Sequence, residues 1–117
     1  MPRRVLIIDD NGPFRAAARQ LLEKAGFVVV AEADTGAGGI HQSKTHRPDV
    51  AIVDLQLPDC DGFDVAARLP ASVRVILTSS RDSADFGALV ASSSALGFIP
   101  KAELSAPAIE ALLAPTH

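Results

Sequence analysis

The chain has 117 residues, 48% of them hydrophobic, which is enough for one compact domain with a buried core and too few for two ordinary domains. Its 14 acidic and 11 basic residues give a formal net charge of -3, so no broad basic field is available to bind a nucleic-acid backbone directly. A single cysteine excludes an internal disulfide framework, and no apolar run approaches the ~20 residues of a membrane span. We therefore expect a single domain over residues 1–117, in a reduced, cytoplasmic setting, with neither a membrane nor nucleic acid as a direct partner.

Strand-like and helix-like segments alternate along the sequence. Continuous apolar runs predict strands buried on both faces, and apolar residues at helical spacing, such as Phe14, predict the helices between them. Because parallel strands need helical crossovers, the alternation predicts an α/β fold with an open, doubly wound sheet. In chain order we predict a strand at residues 5–8, a helix from Pro13 that Gly26 stops, a strand at 27–33, a helix at 37–46, a strand at 49–55, a helix at 62–69, a strand at 73–79, a helix at 83–93, a strand at 95–100 and a helix at 106–114.

Polar side chains follow four of the predicted strands. Asp9 and Asp10 come directly after the first strand, Asp54 ends the third, Thr78 lies at the end of the fourth, and Lys101 follows the fifth. The carboxyl ends of parallel strands meet at one edge of the sheet, where α/β proteins bind ligands, so we expect these side chains to converge. Two adjacent carboxylates hinder each other's ionisation, and carboxylate oxygens suit Mg²⁺. The pair therefore predicts a cation site that can accept an anionic phosphoryl group.

Four segments carry these residues: "VLIIDDN" at 5–11, "DVAIVDLQLPDCDGFDVAARL" at 49–69, "VILTSS" at 75–80 and "GFIPKAEL" at 97–104. In this order, and along nearly the whole chain, they resemble the motifs of bacterial two-component response-regulator receiver domains. The resemblance implies the flavodoxin-like receiver fold, a five-stranded parallel sheet in the order 2-1-3-4-5. It also implies a phosphorelay function, in which a sensor histidine kinase or a histidine phosphotransfer protein phosphorylates an aspartate and thereby switches a protein-binding surface.

The same resemblance implies a role for each residue of the site. Asp54 would accept the phosphoryl group in a Mg²⁺-dependent reaction. Asp10 would bind Mg²⁺ directly and Asp9 mainly through water, while Asp54 and the backbone carbonyl of Gln56 would complete the protein ligands. Lys101 would pair with Asp54 or with the phosphoryl oxygens.

Two further residues belong to the implied switch. Thr78 would hydrogen-bond the phosphoryl group once it has formed, and Phe98 falls where the family places an aromatic switch residue. An ordinary, partly buried core position is the alternative for Phe98. The receiver would catalyse only its own phosphorylation and dephosphorylation, and would not be an enzyme for a separate substrate. We expect an unidentified downstream protein as the partner of the switched surface, and a homodimer is compatible with the sequence.

Three features depart from the family pattern. The spacing of 24 residues between Asp54 and Thr78 is roughly one to two helical turns short, which predicts a curtailed third helix. Ala102 follows Lys101 where proline is common, so we expect a trans peptide bond there, since a cis non-proline bond costs ~2.5–4 kcal/mol. Asp59 follows Pro58 where the family often has glycine, and we expect little change because aspartate tolerates turn geometry.

Three other interpretations stay open at this point. A Mg²⁺-dependent phosphatase or phosphotransferase with an aspartyl-phosphate intermediate often carries a second carboxylate two residues after the nucleophile, whereas position 56 is glutamine. A flavodoxin-like cofactor binder would bring a nucleotide phosphate against Asp9 and Asp10. A degenerate receiver would regulate by contact without phosphorylation, but all five expected polar positions are present. We expect either a stand-alone receiver or a shortened form of a longer regulator.

Overall fold

The computed structural model describes residues 3–80 and 86–114, and this part of the chain forms a parallel sheet between two layers of helices. The strands are β1 (Arg4–Ile8), β2 (Val28–Ala33), β3 (Val50–Asp54), β4 (Arg74–Ser79) and β5 (Gly97–Pro100). The helices are α1 (Gly12–Lys24), α2 (Gly36–His46), α3 (Gly62–Arg68), α4 (Gly87–Ser92) and α5 (Ala106–Leu113), and a single turn of 3₁₀ helix, Lys101–Glu103, follows β5.

The strands pair in the order β2-β1-β3-β4-β5, so the predicted fold class and strand order are confirmed. Side chains alternate across the sheet, as they do in any strand. In β1, Val5 and Ile7 pack in a core cluster that includes Leu22 of α1, whereas Leu6 and Ile8 pack in a second cluster that reaches α2, α3 and α4. Both faces of the sheet are therefore buried, which is why its strands are continuous apolar runs.

Most predicted boundaries differ from the observed ones by one or two residues. The helix predicted at 83–93 is observed as α4 over Gly87–Ser92, and its predicted start lies outside the described residues. The third helix has only seven residues, as the short spacing between Asp54 and Thr78 predicts. The peptide bond after Lys101 is trans, as expected. Within the described ranges, no helix has both the length and the apolar composition needed to cross a membrane.

The glycines at the start of α2 are closely packed, and Gly39 packs directly against the sheet. The helix begins at Gly36, after the Thr35 hydroxyl accepts a hydrogen bond from the Gly38 N–H at 2.9 Å. Gly39 approaches β1 so closely that an added Cβ would lie 2.6 Å from Ile8 Cγ1. Glycine at this position therefore permits the contact, at the expense of intrinsic helix propensity.

Asp59 joins the loop after β3 to the start of α2. Its carboxylate oxygens accept hydrogen bonds from the backbone N–H groups of Gly36 at 2.8 Å and Ala37 at 2.9 Å. These bonds satisfy N–H groups that a helix start leaves free. The bond from Ala37, followed by the bond from Gly36, lowers the pKa of Asp59. We expect little change from aspartate in place of glycine at this turn, but the structure shows that its side chain also links the loop after β3 to α2.

Substitution of Gly39 by alanine tests the close packing of α2. We expect Gly39→Ala to lower the free energy of unfolding by about 1–3 kcal/mol, because overpacking against Ile8 outweighs the gain in helix propensity. Gly87→Ala is the matched control, since an added Cβ there meets nothing within 4 Å. We expect that variant to be stabilised by about 0.4–1 kcal/mol. Urea unfolding followed by far-ultraviolet circular dichroism measures both changes, and equal stability of the two variants would contradict the packing argument.

Substitution of Asp59 by alanine tests the link between the β3–α3 loop and α2. We expect faster amide hydrogen exchange at Gly36 and Ala37, measured by nuclear magnetic resonance, and no such change in Asp34→Ala, which removes a neighbouring exposed carboxylate. The pKa of Asp59 is lowered from its ordinary value of 3.8, so its stabilising contribution is complete above that pH and fades as the pH falls through the lowered value. Acidification should therefore cost the wild-type protein more stability than it costs Asp59→Ala. Unchanged exchange at both amides would disprove the link.

Candidate phosphoacceptor and metal site

Three carboxylates meet at the carboxyl edge of the sheet. Asp9 follows the buried strand β1 and is 1% exposed, Asp54 ends β3 and is 6% exposed, and Asp10 is exposed at the rim. The two strands are neighbours, with Ile8 paired to Val53, so their ends lie side by side. One oxygen from each carboxylate lies within 4.8 Å of the others. The predicted convergence of these side chains is therefore observed.

Lys101 brings the positive charge to this cluster. Its Nζ lies 2.8 Å from Asp9 Oδ2 and 3.4 Å from Asp54 Oδ2, and its side chain is 18% exposed. β5 is next to β4 and ends at Pro100, which delivers the lysine to the same edge as Asp54. The ammonium pairs with both buried carboxylates and is closer to Asp9 than to Asp54.

Burial and charge shift the ionisation of both partners. Burial raises the pKa of Asp54, and the Asp9 carboxylate raises it further, while the Gln56 N–H and the Lys101 ammonium act in the opposite direction. Burial by itself lowers the pKa of Lys101, but Asp9 and Asp54 together outweigh it and the net shift is upward. The lysine therefore stays charged, and Asp54 lies where further positive charge favours its ionised form.

The donor set fits a hard divalent cation. Asp9 Oδ1 accepts a hydrogen bond from the Asn11 N–H at 2.9 Å, and Asp54 Oδ1 accepts one from the Gln56 N–H at 3.3 Å. Asp9 Oδ2 is buried and accepts no hydrogen bond of ordinary geometry from the described residues, although it forms the ion pair with Lys101. Clustered carboxylate oxygens, one of them without a full set of donors, are the ligands that Mg²⁺ prefers. The Gln56 N–H binds Asp54, so the backbone of this residue lies beside the cluster, and the role of its carbonyl as a metal ligand stays a prediction.

Thr78 lies opposite Asp54 in the pairing of β3 with β4. Its hydroxyl is fully buried and donates to the Val53 carbonyl at 3.5 Å, which is long for an O–H···O hydrogen bond. Among residues 3–80 and 86–114, the hydroxyl therefore has only this weak partner and can exchange it at little cost.

Phe98 lies in β5, three residues before Lys101, and is partly buried. Its ring packs against that of Phe86 with centroids 5.8 Å apart and a tilt of 42°. Val90 of α4 belongs to the same cluster of partly buried apolar residues. The position is thus compatible with both interpretations of Phe98, a switch residue and a partly buried core aromatic.

Phe14 and Arg15 of α1 also reach the site, although the sequence pattern does not predict a place for them there. The ammonium of Lys101 lies over the ring of Phe14, 4.6 Å from its centroid. Arg15 donates to the Asp9 backbone carbonyl at 2.6 Å and also binds Glu32 at 3.1 Å. The sequence signal for their place at the site is that they lie about one helical turn after Asp9 and Asp10. Helical spacing by itself assigns Phe14 to the core.

Comparisons with known proteins agree with this architecture. The family model of the response regulator receiver domain matches residues 5–113. The chemotaxis protein CheY of Bacillus subtilis is 36% identical over 83 residues, which cover 68% of this chain and 69% of CheY. The transcriptional regulatory protein PdtaR of Mycobacterium tuberculosis is 30% identical over 117 residues, which cover 90% of this chain and 57% of PdtaR.

A solved response regulator has the same fold. The two-component response regulator of the LuxR family from Aurantimonas sp. SI85-9A1 superimposes with a TM-score of 0.86 at 26% identity, over 97% of this chain and 86% of that one. The chain spans about half the length of several curated relatives, among them a protein of Pseudomonas aeruginosa that is 37% identical and covered over 50% of its length. The family match, the sequence identities and the shared fold together show that the chain belongs to the response regulator receiver domain family of two-component signalling.

Proposed function

We propose that this receiver domain is a Mg²⁺-dependent phosphoacceptor and that Asp54 takes the phosphoryl group. The observation that carries the proposal is the pairing of a buried Asp54 carboxylate with Lys101 Nζ at 3.4 Å, beside the acidic pair Asp9 and Asp10. A buried carboxylate with a positive group on one side and cation ligands on the other is arranged for phosphoryl transfer, which depends on positioning and charge neutralisation.

The chemical step requires little more than these side chains. An Asp54 carboxylate oxygen forms the new bond to phosphorus while the bond from phosphorus to the donor's nitrogen or oxygen breaks, and the electron pair leaves with the donor. Lys101 then neutralises charge on the phosphoryl oxygens. Asp9, Asp10, Asp54 and the Gln56 carbonyl would hold Mg²⁺, which supplies further positive charge to the incoming phosphoryl group.

Phosphorylation would act on the surface around β4 and β5 through Thr78. The long hydrogen bond from its hydroxyl to Val53 is a weak one, so a phosphoryl oxygen bound to Asp54 competes for that hydroxyl effectively. Movement of the end of β4 changes the packing beneath Phe98 and its partner Phe86. A coupling of about 1–3 kcal/mol between the site and this surface is sufficient for signalling.

The family membership supports the class of partners. We propose that a sensor histidine kinase or a histidine phosphotransfer protein is the phosphodonor and that a downstream protein, or a second copy of the domain, binds the switched surface. The domain would work in the cytoplasm, without direct contact to nucleic acid or membrane. It would modify only itself, because glutamine stands at position 56, where aspartyl-phosphate enzymes often carry an acid/base carboxylate.

Phosphorylation by a small donor tests the proposal. We expect the protein to gain one phosphoryl group, detected by intact mass, when it is incubated with acetyl phosphate and Mg²⁺. Asp54→Asn should gain none, and Asp64→Asn, a matched change of an exposed aspartate on α3, should behave as the wild type does. Removal of Mg²⁺ with a chelator should abolish the gain of the phosphoryl group. Modification of Asp54→Asn would disprove the assignment, and turnover of many donor equivalents would favour the phosphatase interpretation.

Binding of Mg²⁺ should stabilise the fold. In the part of the chain that the structure describes, the cluster contains three carboxylates and the Lys101 ammonium, so a cation relieves the remaining repulsion. At a Mg²⁺ concentration 100 times the dissociation constant, we expect the free energy of unfolding to rise by ~2.7 kcal/mol. Asp10→Asn should reduce this gain strongly, and Asp34→Asn should leave it unchanged. Thermal unfolding with and without Mg²⁺ measures the difference, and equal gains in all three proteins would contradict a site at Asp10.

A further inference from the structure

Phe14 belongs to a closed set of contacts around the site lysine. The Asn11 side chain caps α1 by accepting the Phe14 N–H at 3.0 Å, and the Asn11 N–H donates to Asp9 Oδ1 at 2.9 Å. The other oxygen of the same carboxylate, Asp9 Oδ2, lies 2.8 Å from Lys101 Nζ, and that ammonium lies 4.6 Å from the centroid of the Phe14 ring. The backbone of Phe14 is therefore held relative to Asp9 by the turn that begins the helix, and Lys101 contacts both the Phe14 ring and the Asp9 carboxylate.

The contact is electrostatic as well as apolar. The face of an aromatic ring is negative, so a cation within about 6 Å of the centroid is attracted to it, more strongly where water is partly excluded. Lys101 is mostly buried, with 18% of its side chain exposed. An ammonium has three donors and can turn freely on a flexible stem. Two carboxylates and one ring face together restrict that freedom.

We propose that Phe14 is a positioning residue for Lys101 and that its ring holds the ammonium against Asp9 and within reach of Asp54. The ring touches neither phosphodonor nor phosphoryl group and acts only through the lysine. The consequence for phosphorylation rests on the proposed function, whereas the contact itself does not. A purely structural Phe14, packed against the core cluster beside α1, would need only apolar bulk, so leucine could replace it.

The test compares Phe14→Leu, which keeps apolar bulk without the ring, with Phe14→Tyr, which keeps the ring. Phe27→Leu is the matched control, because Phe27 is a buried aromatic of the same core cluster. The first readout is the proton shift of the Lys101 ε-methylene group, which a ring face moves upfield. We expect that upfield shift in the wild type, in Phe14→Tyr and in Phe27→Leu, and its loss in Phe14→Leu.

The second readout is the rate of phosphorylation by acetyl phosphate, with folding of each variant checked by circular dichroism. We expect Phe14→Leu to lower the maximal rate constant by about 3- to 30-fold, the range of cation–π strengths, and Phe14→Tyr to stay within about 2-fold of the wild type. Phe27→Leu should also stay within about 2-fold, because a general loss of core packing does not disturb the ammonium.

Different outcomes separate the two proposals. An unchanged Lys101 shift in Phe14→Leu overturns the positioning role, as does equal slowing in Phe14→Leu, Phe14→Tyr and Phe27→Leu. A wild-type protein that gains no phosphoryl group overturns the proposed function. In that case, the contact between the ring and the ammonium is still supported if the Lys101 upfield shift is lost in Phe14→Leu and kept in the other two variants.

Discussion

The structure depends on the ion pairs that Lys101 makes with two buried carboxylates. Asp9 and Asp54 are almost completely removed from water, and buried charges are tolerated only when they are paired. Within the described residues, the Lys101 ammonium forms ion pairs with both of them, and the exposed carboxylate of Asp10 belongs to the same cluster. The cluster is therefore short of positive charge in the absence of a bound cation, and that shortage makes it a receptive site for one. A buried cluster of this kind costs folding stability as long as its charges are not balanced.

The loops after β1 and β3 hold the cluster in place by capping helices. Asn11 caps α1 and binds Asp9 through its backbone N–H, while Asp61 caps α3 and accepts the Asp64 N–H at 2.9 Å. Asp59 adds hydrogen bonds to the start of α2, so the loop that carries Gln56 is bound to both α2 and α3. Acidic and amide side chains suit these positions because helix starts present free N–H groups and the positive end of the helix dipole. These hydrogen bonds join the loops at the carboxyl edge of the sheet to the starts of three helices.

The surface beyond β4 and β5 is built differently. None of the six residues of α4 is buried, and Leu89 is 55% exposed. Phe98 and Phe86 meet at an angle in a partly buried cluster, and the Thr78 hydroxyl donates a long hydrogen bond to Val53. Regions with few buried apolar contacts are the ones that shift at low free-energy cost. The domain therefore combines a firmly held charge cluster with a lightly packed neighbouring face, an arrangement that suits a two-state switch.

The sequence alone determined the α/β class, the strand order implied by the receiver resemblance, and the convergence of Asp9, Asp10, Asp54 and Lys101, because strand ends in a parallel sheet share one edge. It also indicated the short α3, since spacing along the chain limits helix length directly. Only the tertiary structure decided that Phe14 lies under Lys101 and that Asp59 caps α2. Each of these contacts joins residues that are far apart in the chain, and their geometry depends on how closely helices approach the sheet. Local pattern determines which elements form, whereas the distances between their side chains depend on the packing of the whole domain.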